Sequence, residues 1–191
     1  LIAWLLAWLH QHGVDEVLVN LHHRPESLRG AVAGFLPPGM RVVYSEESEL
    51  LGTGGGIRRA ARFLCESDPA IVLAGDMLLD TDLAALVERH RARGARCSLL
   101  LRRDARAESF GSIGLDARDR LRRIARRFDL GGETQAGVFV GLRLVSPSLF
   151  ASLPDRDSFE DLSDWLAPLA AAGADDIVGS LLEPADCVWE P

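Results

Sequence analysis

The run Ala70-Ile-Val-Leu-Ala-Gly-Asp76 constrains the fold more than any other stretch of the chain. It is apolar without interruption and closes on Gly-Asp, which reads as a central strand of a parallel sheet, covered on both faces. Further strands are predicted at residues 16–21, 40–45 and 95–102. Helices are predicted between them. Leu1, Leu5, Leu6 and Leu9, with Trp4 and Trp8, recur at helical spacing until Gly13 stops the run. Pro25 suits the start of a helix over 26–35, another covers 55–64, and Asp80-Thr-Asp82 caps one that runs to about Arg93 before Gly94. Strands alternating with helices in this way imply right-handed βαβ units. After residue 105 the pattern changes. Strand-like segments at 112–116, 120–126 and 136–145 have little helix between them. Short helices near 147–153 and 159–172 and strands near 176–182 and 187–189 follow. The expected fold is therefore α/β, a Rossmann-like, mostly parallel sheet flanked by helices, with an antiparallel elaboration in the second half. One domain spans residues 1–191.

Composition narrows the chemistry. All 21 basic residues are arginine, against 28 acidic ones, for a formal charge of −7. Without lysine there is no Schiff base, no pyridoxal-phosphate anchor and no Walker loop. A net acidic chain is a poor binder of nucleic-acid backbones, so no nucleic-acid partner is expected. The apolar start is too short to span a bilayer, and no membrane partner is expected. Cys65, Cys97 and Cys187 are widely spaced and form no Cys-x-x-Cys pair. They read as reduced thiols of a cytoplasmic protein.

In open α/β sheets, ligands bind beyond the carboxyl ends of the strands. This singles out the loops at 20–24, 46–56 and 75–76. Leu51-Gly-Thr-Gly-Gly-Gly-Ile57 offers glycines against which a ligand can lie and a helix N-terminus with free amides; the alternative is a set of packing glycines. A dinucleotide fingerprint fails here, because Gly52-x-Gly54-x-x reaches Ile57. Asp76, projecting from a strand end, is suited to hold Mg²⁺ against a phosphate. Its alternative role is a helix N-cap, which Asp80 and Asp82 already fill. The five histidines have structural or solvent roles, with His90 on a charged helical face. Most of the arginines of 118–127 are expected to be solvated. Ser109 and Ser112 have no His-Asp relay.

The order of motifs resembles the sugar-1-phosphate nucleotidyltransferase family. It runs Val19-Asn-Leu-His-His23, Tyr44-Ser-Glu-Glu-x-Glu-Leu-Leu-Gly-Thr-Gly-Gly55, Ala74-Gly-Asp76 and Phe110-Gly-Ser112. The nearest branch is bacterial, that of mannose-1-phosphate guanylyltransferase-like and N-acetylmuramate-1-phosphate uridylyltransferase-like proteins. The resemblance implies a nucleotide-binding half, 1–105, and a sugar-phosphate-binding half, 106–191. Glu47, Leu51, Gly52 and Thr53 would border the nucleobase. Asp76 would be the catalytic Mg²⁺ ligand, with Glu190 a candidate second ligand. Gly111, Arg127 and Gly137 would line the sugar-phosphate pocket. The partners implied are a nucleoside triphosphate and a sugar 1-phosphate, and a homo-oligomer is left open. Two departures stand out. The family's Glu-Lys-Pro is replaced by Arg126-Arg127-Phe128. The family's opening strand and Gly-x-Gly-Thr-Arg loop, roughly 30 residues long, are expected to be missing before Leu1. A non-catalytic nucleotide- or nucleotide-sugar-binding regulatory paralogue is the alternative, and a metal-dependent glycosyltransferase a weaker one.

Overall fold

In the computed structural model, which describes residues 1–104, 111–182 and the backbone of 187–189, the chain begins with α1 (Ile2–Gln11), β1 (Glu16–Leu21), α2 (Pro25–Phe35) and β2 (Arg41–Glu46). Then come α3 (Gly52–Leu64), β3 (Ala70–Leu73), β4 (Leu78–Asp80), α4 (Leu83–Ala92) and β5 (Cys97–Arg102). The second half holds β6 (Ile113–Leu115), β7 (Leu121–Ile124), β8 (Phe128–Asp129) and the long β9 (Gln135–Val145). A 3-10 turn (Pro147–Ser152), a π-helical turn (Asp161–Leu166) continued by an α-helix (Ala167–Ala171), β10 (Ile177–Leu181) and β11 (Cys187–Trp189) complete it. Local chemistry explains several boundaries. Pro25 opens α2, where its missing N–H is no loss. Asp82 caps α4 by accepting from the Ala85 amide at 3.0 Å, whereas Asp80 ends β4 instead.

The strands form a curled, mixed sheet built around β9. One edge of β9 pairs antiparallel with β5. The other pairs first with β6, through Gln135–Gly137, and then with β3, through 142–145. Gly141 stands between these two stretches with φ of +78°, a left-handed conformation costly for any other residue. β10 adds parallel to β5, β1 pairs parallel with β2, and β6, β7 and β8 form an antiparallel meander. The α/β class with helices flanking a sheet is as expected, but the sheet is mixed rather than mostly parallel: among the described strands β1–β2 and β10–β5 pair parallel, and the ladders of β9 are antiparallel. The placement of β3 is different. β3 has β9 as its one described partner, antiparallel, and Ile71, Val72 and Leu73 are only half-buried. An apolar run reports the faces of a strand, not how many neighbours it has. β4 was not expected either, since it pairs with β11, far off in sequence.

Alternation along β5 and β9 divides the core. Cys97, Leu99 and Leu101 face a layer containing Ile57 of α3, Trp165 and Leu166. Leu100, Val140, Leu142 and Leu144 face Trp8 of α1 and Leu83 and Leu86 of α4. A smaller cluster, Leu6, Val17, Val32 and Met40, joins α1 and α2 to β1. No helix among the described residues is long and apolar enough to cross a membrane.

His90 is buried rather than on a charged face. Its Nδ1 lies 2.8 Å from Ser98 Oγ and its Nε2 3.0 Å from Ser146 Oγ, so a neutral ring donates to one serine and accepts from the other. Burial holds its pKa below the ordinary 6.5, with Asp68 opposing and Arg91 reinforcing that effect. The unfolded chain therefore takes up this proton at higher pH than the native one. The stability that neutral His90 contributes is complete above pH 6.5 and is lost as pH falls toward the lower native value. Denaturant titrations between pH 7.5 and 5.5 should show this decline, and His90→Gln should flatten it.

Candidate functional site

The glycine-rich segment forms the first turns of α3, with Leu51 at the N-cap position. Phe159, more than a hundred residues later, closes over it. The Phe159 carbonyl accepts from the Gly54 and Gly55 amides at 2.9 and 3.3 Å, and its amide donates to the Leu51 carbonyl at 2.9 Å. A Cβ at Gly54 would run into the Phe159 ring, and one at Gly55 into the Asp157 carbonyl. These two glycines are therefore packing glycines, and their amides are already satisfied. Thr53 remains exposed, and Gly52 enters the helix at φ of +71°.

Glu47 lies beneath this turn, only 5% exposed. Its Oε2 accepts from the Leu51 amide at 3.4 Å, while Oε1 is buried with no hydrogen-bond partner among the described residues. Its backbone is tied to the strand ends. The amide donates to the Leu21 carbonyl at 2.7 Å, and the carbonyl accepts from His22 Nδ1 at 2.9 Å. A Cβ at Gly56 would stand 3.1 Å from Oε1, so a larger residue there would crowd the carboxylate. Glu47, Leu51, Gly52 and Thr53 thus share one end of α3.

Asp76 sits in the turn after β3, exposed, and makes no hydrogen bond or ion pair with any described residue. The turn itself is anchored: the Ala74 amide donates to the Gly141 carbonyl at 2.9 Å, and Met77 is buried. With Asp82 capping α4, the N-cap role for Asp76 falls away. A free, exposed carboxylate fits a hard divalent cation that keeps its waters and shares itself with substrate phosphates. Among the described residues no group of three or more His, Cys, Asp or Glu forms a metal site. Glu190 lies outside the described residues.

Gly111 opens a second region. With Ser112, Ile113, Ile124, Ala125, Val138, Phe139 and Leu162 it lines a cavity of about 290 Å³. Gly111 has φ of +81° and faces Ala125, which is itself left-handed at +46°. Arg127 is exposed in the turn before β8. Gly137 is a buried sheet position next to this cavity, paired with Ile113 and followed by Val138, both of the lining, and a Cβ there would meet Leu181 and Leu101 at 2.9 and 3.0 Å. The arginine run is less solvated than expected. Arg123 Nε pairs with Glu133 at 2.7 Å and its other nitrogens reach Ser112 and Ala125, while Arg120 Nε pairs with Asp116 at 2.8 Å.

Sequence reasoning missed the element that joins the two regions. Arg143 on β9 and Asp161, at the start of the π-helical turn, form an ion pair with each residue only 4% exposed. Arg143 also lies over the Phe139 ring, 4.9 Å from its centre. Asp161 is two residues from Phe159, which closes α3, and next to Leu162 of the cavity. The available signal was an arginine inside an otherwise apolar strand, Val138-Phe-Val-Gly-Leu-Arg-Leu-Val145. Asp161→Asn should cost about 3–5 kcal/mol by leaving a buried guanidinium without its counter-charge. The volume-matched Arg143→Met/Asp161→Leu pair should recover most of that loss in denaturant unfolding. Gly54→Ala, colliding with Phe159, should destabilise by about 1–3 kcal/mol.

Residues 1–127 match the family described as nucleotidyl transferase. A UTP–glucose-1-phosphate uridylyltransferase of Synechocystis is 23% identical over 184 residues, covering 90% of this chain and 47% of the relative. A mannose-1-phosphate guanylyltransferase of Mycobacterium tuberculosis is 32% identical over 120 residues, covering 63% and 33%. A D-glycero-alpha-D-manno-heptose 1-phosphate guanylyltransferase of Aneurinibacillus thermoaerophilus is 28% identical, covering 83% and 67%. The chain thus spans from a third to two thirds of the length of these relatives. The crystal structure of HddC from Yersinia pseudotuberculosis superposes with a TM-score of 0.77 at 18% identity, over 98% of this chain and 78% of that one, a likeness of fold. The chain belongs to the nucleotidyl transferase family.

Proposed function

We propose that this chain is the core of a sugar-1-phosphate nucleotidyltransferase, converting a nucleoside triphosphate and a sugar 1-phosphate into a nucleoside-diphosphate sugar and pyrophosphate. The observation that carries this reading within the family is Asp76, an exposed carboxylate with no partner among the described residues, in a turn after β3 that is held by the Ala74 amide and the Gly141 carbonyl. In the reaction a phosphate oxygen of the sugar 1-phosphate forms a bond to the α-phosphorus. The bond from that phosphorus to the β-bridging oxygen breaks, and pyrophosphate leaves with the electron pair. No protein nucleophile is required, so the work of the chain is positioning and charge neutralisation. Bound Mg²⁺, held by Asp76, would neutralise the phosphate oxygens. The end of α3 orients the nucleoside, with Glu47 as a buried acceptor beneath it and Leu51, Gly52 and Thr53 along its edge. The Gly111 cavity orients the sugar, and Arg127 supplies positive charge near its phosphate.

The free edges of β1 and β3 belong to the same reading. β1 pairs with β2 and β3 with β9, and each leaves its other edge without a partner among the described residues. We assign the free edge of β3 to a further strand carrying a triphosphate-binding loop, which would give β3 a second neighbour. A cytoplasmic enzyme, whether monomer or homo-oligomer, suits these substrates.

The metal assignment is tested with Asp76→Asn in a preparation that turns over. Pyrophosphate release should fall by about a hundredfold or more, while stability changes by no more than about 0.5 kcal/mol, as for an exposed side chain without partners. Near-normal release by this variant would remove Asp76 from the reaction.

A further inference from the structure

Arg123, on β7, spends its whole guanidinium fork on one place. Its Nη2 donates to Ser112 Oγ at 2.8 Å. Its Nη1 donates to two carbonyls, that of Ser112 at 3.1 Å and that of Ala125 at 3.2 Å. Nε pairs with Glu133 at 2.7 Å, and the side chain is only 19% exposed. The neighbouring arginines serve other turns. Arg122 reaches the Gly131 and Leu130 carbonyls, and Arg120 pairs with Asp116. Ser112 and Ala125 both line the cavity beside Gly111, and both stand where the chain leaves the sheet, Ser112 just before β6 and Ala125 just after β7. There the Ala125 amide donates to the Ser112 carbonyl at 2.8 Å.

Ala125 is left-handed at φ of +46°, a conformation that strains any residue with a Cβ. Such strain persists only where the surroundings enforce it, and charge-assisted donations from one fixed guanidinium can do so. Gly114 makes the arrangement possible. It stands opposite Arg123 in the β6–β7 ladder, and a Cβ there would run into the Glu133 carboxylate. With no side chain at Gly114, Glu133 lies against the strand and sets the direction of Arg123. The segment carrying Glu133 is itself held, since the Thr134 amide donates to the Leu115 carbonyl at 2.8 Å. A lysine could not take over: one ammonium does not span Glu133 and the Ser112 and Ala125 acceptors together. We propose that Arg123 is a positioning residue for the sugar 1-phosphate, a clasp that ties the Ser112 and Ala125 walls of the cavity to each other and fixes its mouth. The proposal rests on the nucleotidyltransferase reading for its ligand and on the bonds of the clasp for its geometry.

Two readouts on the whole chain test it. Amide hydrogen exchange, followed by NMR, reports on the clasp with no ligand present. In Arg123→Lys the Ala125 amide should exchange about tenfold or more faster, while Leu99 and Leu144 in the β5–β9 ladder keep their protection. Pyrophosphate release with Mg²⁺, each nucleoside triphosphate, and mannose, glucose or N-acetylglucosamine 1-phosphate reports on positioning. There the KM for the sugar phosphate should rise about tenfold or more in Arg123→Lys, with the KM for the triphosphate unchanged. Gly114→Ala, which displaces Glu133, should reproduce both effects more weakly. Arg122→Lys, on the same strand, should show neither. Unchanged Ala125 exchange in folded Arg123→Lys overturns the clasp. Equal rises in the two KM values overturn the positioning role, because an arginine that only supports the fold acts on both substrates alike. Faster exchange with both KM values unchanged overturns it too, and takes the cavity out of the reaction. If Arg123→Lys fails to fold, Gly114→Ala decides by the same criteria. If the native chain releases no pyrophosphate from any pair, the nucleotidyltransferase reading fails, and exchange at Ala125 decides the clasp alone.

Discussion

The seven-stranded sheet of this fold depends on the two-sided pairing of β9. One edge holds β5, and through it β10; the other holds β6 and β3 in succession, with Val145 paired to Ala70 on one side and Cys97 on the other. The change of partner along one edge requires a local break in regular extension, and Gly141 supplies it at φ of +78°. The Asp76 turn is fixed to that break through Ala74, and the Gly111 cavity takes Val138 and Phe139 from the same strand. A single strand thus sets the positions of both the candidate metal ligand and the candidate sugar pocket.

The buried Arg143–Asp161 pair extends that control to α3. Isolated from water, such a pair contributes little net stability over an apolar replacement, but it fixes where its two elements sit. Here it ties the C-terminal end of β9 to the turn that follows Phe159, whose carbonyl accepts from the start of α3. The nucleoside end and the sugar end of the proposed site are therefore held by one connected set of contacts: Phe159 on one side of Asp161, Leu162 on the other.

Much of this architecture was legible in the sequence because its signals are local. The helices begin where proline or a capping aspartate stands, as at Pro25 and Asp82, and the strands of the second half follow their alternation. What was not legible depends on partners distant in sequence. Nothing near Gly54 and Gly55 indicates that Phe159 will close on them, so a packing role and a ligand cradle looked alike. Nothing near Gly137 announces Leu101 and Leu181. His90, flanked by arginines, looked solvated, and only Ser98 and Ser146 across the fold explain its burial. The order of motifs carried the family, which no one of these residues would have done alone.

The central claim is that nucleotide and sugar phosphate occupy two separate places joined through β9. Backbone amide NMR shifts during stepwise titration, first with a nucleoside triphosphate and Mg²⁺ and then with a sugar 1-phosphate, test it most directly. The account predicts that the first ligand perturbs Glu47, Leu51, Gly52, Thr53 and Asp76, and that the second perturbs Gly111, Ser112, Ala125, Phe139 and Leu162. Shifts from both ligands at one and the same set of residues, or at neither set, would contradict it.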